Sequence, residues 1–141
     1  MAIKYYSAED VQKLAHDLVM RLGWNHIHLE HLGYLRSMGS TSRGTIARCH
    51  ALGKAMQIGM GRKLSFYMIE VISEQYDRLP ESEKVKTIIH ELMHIPKTFG
   101  GGFRQHDFVC EENVDVMFDK LVRLGTIEKP LQSGFLPFWK V

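Results

Sequence analysis

Apolar residues recur at helical spacing in three stretches of the chain. Val11, Leu14, Ala15, Leu18, Val19 and Leu22 form the first stripe. Ser7-Ala8-Glu9-Asp10, a capping box with Asp in place of Glu, precedes it and Gly23 closes it. Val85, Ile88, Ile89, Leu92 and Ile95 form the second, with Pro80 at its start, acidic residues in its first turn and Pro96 as its stop. Val114, Met117, Phe118 and Leu121 form the third, expected from about Phe108 to Leu124, with Asp107 as N-cap and Gly125 as the end. Between the first two stripes the pattern turns strand-like at Leu32–Leu35, at Thr45–Leu52 and, most strongly, at Leu64–Ile72. In the middle strand, Arg48 and His50 would share one face with Ile46 and Leu52. Ser37–Gly44 is small and polar, hence a loop, and Lys54–Ile58 suits one or two helical turns.

This order predicts an α+β domain: an N-terminal helix, a small sheet of about three strands, a second long helix, a glycine loop and a C-terminal helix. With 141 residues, a single domain over 1–141 has enough chain for an ordinary core. Residues 126–141 interleave Pro130, Gly134 and Pro137 with Leu131, Phe135, Leu136, Phe138 and Trp139. Such an apolar, irregular tail is expected to pack back on the body.

Composition excludes more than it selects. No segment is long and apolar enough for a membrane-spanning helix, and the N-terminus lacks the apolar run of a signal peptide, so the expected compartment is the cytoplasm. Cys49 and Cys110 have no paired spacing and are read as free, small hydrophobes. Net charge is only +2, yet no Asp or Glu occurs from His31 through Ile69, a span holding Arg36, Arg43, Arg48, Lys54, Arg62 and Lys63. Such a block can meet a nucleic-acid backbone or an acidic protein surface; the alternative is cations pointing in different directions. No zinc-finger or RNA-binding signature accompanies it. His26, His28 and His31 cluster without ligand spacing and are read as surface residues.

The second helical stripe carries the chemistry. His90-Glu91-Leu92-Met93-His94 has the HExxH spacing, which puts two imidazoles on one helix face, a turn apart, with a carboxylate beside the first. Two histidines need a third protein ligand to make a catalytic zinc site with one position left for water. Gly100-Gly101-Gly102 lets the chain fold back and bring His106 to the ion; a carboxylate of Glu111, Glu112 or Asp115 is the alternative. Asp107 or Asp115 could orient a ligand histidine from behind.

The stretch from Tyr67 through His90-Glu91-Leu92-Met93-His94 and Gly100-Gly101-Gly102-Phe103-Arg104 to His106, with Arg36-Ser37-Met38-Gly39-Ser40, resembles zincin-type metallopeptidases. The likeness is to the SprT-like branch and, most closely, to small archaeal and phage metallopeptidases, over roughly residues 32 to 107. It implies a minimal zincin-like fold, Zn²⁺ at His90, His94 and His106, and Glu91 as the catalytic carboxylate. SprT-like proteases in several lineages act on DNA-associated proteins, which fits the basic block, although no DNA-binding zinc module is recognisable here.

The expected activity is hydrolysis of a peptide or protein substrate by metal-activated water, with Glu91 as general base. Arg104, Tyr67 or His50 would stabilise the oxyanion, and Leu64–Ile72, if at a sheet edge, would bind substrate as an added strand. Two rival expectations are a structural-zinc module that binds nucleic acid or protein, and a pro-enzyme blocked by Cys49, Cys110 or the tail.

Overall fold

The first apolar stripe folds as helix α1 (Glu9–Leu22), with all six stripe residues buried and Gly23 ending it in the left-handed conformation, φ 67°. In the computed structural model, residues 2–40 and 43–125 are described; the tail at 126–141 and positions 41 and 42 of the polar loop lie outside them. Before α1 runs a strand the pattern did not predict, β1 (Lys4–Ser7), and after it come β2 (Leu32–Met38), β3 (Ala47–Ala51) and β4 (Tyr67–Ile72). Among the described residues four strands therefore form the sheet, in the order β1-β2-β4-β3. β2 and β4 are parallel, while β1–β2 and β3–β4 are antiparallel.

Several local expectations yield to this pairing. Ser7 does not cap α1, because it lies in β1 opposite Leu35; Ala8 takes the cap position without a side-chain bond. Ser37 and Met38 are strand rather than loop, since β1 pairs with both and β4 also pairs with Ser37. β4 is interior and cannot accept an added strand; β3 holds that edge of the sheet.

One face of the sheet is apolar and meets the helices. Tyr67, Ile69 and Val71 of β4 are each 0% exposed and join one core with α1 and the second long helix. Ala47, Cys49 and Ala51 of β3 pack against that core from the edge. On the opposite face the buried Glu70 accepts from Ser37 Oγ at 2.6 Å and His50 Nε2 at 2.7 Å. Burial alone would raise this carboxyl, but those bonds, with His50 and Arg48 nearby, outweigh it and hold it below the usual range.

The short helix α2 (Lys54–Gly59) stands where one or two helical turns were expected, and α3 (Ser73–Tyr76) adds a turn after β4. Helix α4 (Glu81–Met93) starts from Pro80 as expected and buries Val85, Ile88, Ile89 and Leu92 completely, as is Ile95 just beyond it. Helix α5 (Glu111–Arg123) begins three residues later than expected. Asp107 is not its cap: the carbonyl of Gln105 accepts from Phe108 and Val109, closing a separate turn, so Cys110 takes the cap position. α4 is the hub, touching α1, α5 and β3. No helix among the described residues is long and apolar enough to cross a membrane.

Candidate metal centre

α4 ends at Met93, yet His94 keeps helical dihedral angles, φ −68° and ψ −18°. His90 and His94 therefore stay one turn apart on one face. Their Nε2 atoms face each other at 3.3 Å. An ion bonded tetrahedrally to nitrogen at about 2.0–2.1 Å keeps its donors about 3.3–3.4 Å apart, so this pair has the separation a shared ion requires. His106 joins them from the turn after the glycine loop, and the ligand nitrogens of the three residues all lie within 4.8 Å of one another.

Protonation suits the same purpose. His94 Nδ1 donates to the Arg104 carbonyl at 2.8 Å, which turns Nε2 toward His90. Burial, then the neighbouring His94 and His106, push His90 down to about 4, so it is neutral at pH 7. Neutral imidazole is the form that binds metal. Three imidazoles so placed can hold a divalent transition-metal ion.

The loop that delivers His106 is tied at both ends. Arg104 N–H donates to the His94 carbonyl at 2.7 Å, beside the ring bond in the other direction. Tyr67, fully buried, accepts from Gly101 N–H at 2.9 Å and donates to the Gly102 carbonyl at 2.7 Å. Gly101 has φ 100°, and a Cβ there would meet the Leu52 carbonyl at 3.1 Å; it is the one residue of the triplet that must be glycine on both counts. Phe99, with φ 50°, turns the chain just before it and packs edge-on against the Tyr67 ring at 4.7 Å.

Glu91 points to the buried side of the same turn. It is 7% exposed, its carboxylate has no hydrogen-bond partner among the described residues, and burial pushes it up to about 7. Cys49 lies close enough that Glu91 adds to the burial that raises the thiol. Both cysteines are free. His90, Glu91 and His106 line a cleft of about 730 Å³ between α4, α5 and the β3 edge.

The remaining sequence-derived candidates sit elsewhere. Tyr67 spends its hydroxyl on the loop, His50 is bonded to Glu70, and the Arg104 guanidinium lies 3.3 Å over the Phe108 ring beside a different, smaller cavity. None of the three lines the cleft. Asp107 Oδ1 accepts from Phe108 N–H, and no hydrogen bond or ion pair joins its carboxylate to a described histidine. Asp115 lines the cleft but is 46% exposed and pairs with Lys86 at 3.1 Å, which removes the reason for reading it as a buried carboxylate that needs a ligand partner. Glu111 and Glu112 are exposed first-turn acids of α5.

The basic block is acid-free only along the chain. Arg36 is clamped by Asp10 at 2.7 Å and Asp77 at 2.6 Å, and Arg48 lies 3.7 Å from Glu70. Arg62 bonds to His31 and covers the Phe66 ring. None of these, nor Arg43, Lys54 or Lys63, lines the cleft. His26, His28 and His31 form no metal-ligand group with other described residues. What sequence reasoning missed was the far wall of the cleft: Glu83, Lys86 and Thr87 fall on the His90 face at three- and four-residue spacing.

Residues 3–123 match the profile of a family described as "Putative phage metallopeptidase". No curated protein and no solved structure matches the chain.

Proposed function

This chain belongs to that phage metallopeptidase family, and on that premise we propose that it is a zinc-dependent peptide hydrolase. His90, His94 and His106 are the proposed ligands and Glu91 the proposed general base. The observation that carries the reading is the meeting of three imidazole nitrogens within 4.8 Å, two of the rings lining one cleft with a buried carboxylate that has no hydrogen-bond partner among the described residues. Zinc suits three neutral imidazoles with a position left open, and when bound it would activate water and polarise the scissile carbonyl.

The chain's own groups do the rest. Glu91, kept from the ligand face by its place on the helix, takes the proton of the attacking water and returns it to the leaving amine. Its dry surroundings strengthen that exchange, and a cation beside it would favour the ionised form needed at the start. The edge of β3 borders the cleft through Ala47, so an extended peptide added there would pass the histidines. The SprT-like resemblance supplies DNA-associated proteins as a candidate substrate class. Any nucleic-acid contact by the basic residues would use a surface other than the cleft.

Removal of the metal tests the assignment. A chelator is expected to abolish cleavage of an unstructured protein substrate, and one equivalent of Zn²⁺ to restore it. Cleavage that persists in metal-free protein would refute the reading.

The Tyr67 clamp makes a second prediction. Tyr67→Phe removes both loop bonds and leaves the Gly101 N–H unpaired, a cost of about 1–3 kcal/mol. Because the loop carries His106, zinc affinity is expected to fall by about tenfold, the lower end for supporting partners of a metal site. Competition with a chromophoric chelator measures it; unchanged affinity would show that the loop holds its course without the hydroxyl.

A further inference from the structure

Beyond the histidines the cleft runs along α4 past Lys86 to Glu83, with Glu111 and Asp115 of α5 on its other wall. At 1.5 Å per helical residue, Lys86 lies about 6 Å and Glu83 about 10 Å from His90 along the axis. The charges along this path do not balance. Lys86 Nζ is shared between Asp115 at 3.1 Å and Glu83 at 3.9 Å, and sits over the Phe118 ring. Glu111 is exposed and has no ion pair among the described residues. Among the described residues, one ammonium thus faces three carboxylates, and two negative charges are left over.

The apolar part of the lining, Ile46, Leu79 and Val114, suits an aliphatic stem. The carboxylate of Glu91, 7% exposed and without a hydrogen bond to a described residue, lines the same cleft, a second sign that the space receives a polar ligand.

We infer that the cleft selects peptides carrying a lysine or arginine within about three residues of the cleaved bond, since an extended chain covers about 10 Å in that distance. Glu111 and Asp115 receive the cation while its stem lies on the apolar wall. This rests on the hydrolase reading and names its substrate class.

The test uses the zinc-loaded full chain and three matched quenched peptides with Lys, norleucine or Glu at a position two or three residues from the cut. The Lys peptide is expected to exceed the norleucine peptide about tenfold in kcat/KM, the size of a charge-assisted hydrogen bond, with the Glu peptide slowest. In Glu111→Gln and in Asp115→Asn that ratio shrinks. Equal rates for the three peptides, or a ratio that neither variant changes, would overturn the inference. If no peptide is cut, the hydrolase reading fails, and fluorescence anisotropy of the same peptides on Glu91→Gln decides the inference alone. Tighter binding of the Lys peptide supports it, and equal binding refutes it.

Discussion

Glu91→Gln is expected to lower kcat by about 10²–10⁴-fold, the range supplied by a positioned general base, while zinc content stays at the wild-type level. The two effects separate because Glu91 lies on the buried side of the turn and outside the group of three ligand nitrogens. The amide keeps the size of the carboxylate but cannot accept the proton. Folding should survive the change, since the Glu91 side chain makes no hydrogen bond to a described residue and a neutral group is cheaper to bury than a charge. Steady-state rates, a zinc assay and a thermal melt on one preparation check all three points. Cleavage at the wild-type rate would remove Glu91 from the mechanism.

His106→Ala is expected to weaken zinc binding by more than the roughly 10–100-fold typical of supporting residues, because a ligand itself is lost. Its place in the fold makes this a clean experiment. His106 is exposed, on a turn held by the Gln105 carbonyl and by the fully buried Val109. Truncating such a side chain changes stability by about 0.5 kcal/mol or less. The metal-free variant should therefore melt with the metal-free wild type, while the zinc-dependent rise in Tm that ligand binding gives the wild type is lost. A variant that keeps zinc as tightly as the wild type would hand the third position to another donor.

The long helices were legible because each buries a stripe. Val11 to Leu22 and Val85 to Ile95 write their period into the sequence through the residues that must avoid water. β1 left no such mark: Lys4, Tyr5, Tyr6 and Ser7 are all exposed, and the strand exists only because β2 offers it a partner. The same tertiary pairing turned Ser7 from helix cap to strand and lengthened β2 through Met38.

At the candidate site, helix periodicity puts His90 beside His94, and the glycine triplet signals that the chain can return. The loop's path was not legible, because it depends on the Tyr67 hydroxyl, 34 residues from Gly101 in sequence, and on the uncommon φ of Phe99. Charge was the least legible feature. Asp10 and Asp77 reach Arg36 from α1 and from the turn after α3, so an acid-free run of sequence is not an acid-free surface.

The central claim is that one ion sits among His90, His94 and His106 with a coordination position to spare. Zinc-edge anomalous diffraction from crystals of the metal-loaded protein tests it most directly. The expected result is a single strong peak bonded to those three rings, with solvent completing the shell. A peak elsewhere, or one closed by a fourth protein ligand, would contradict the account.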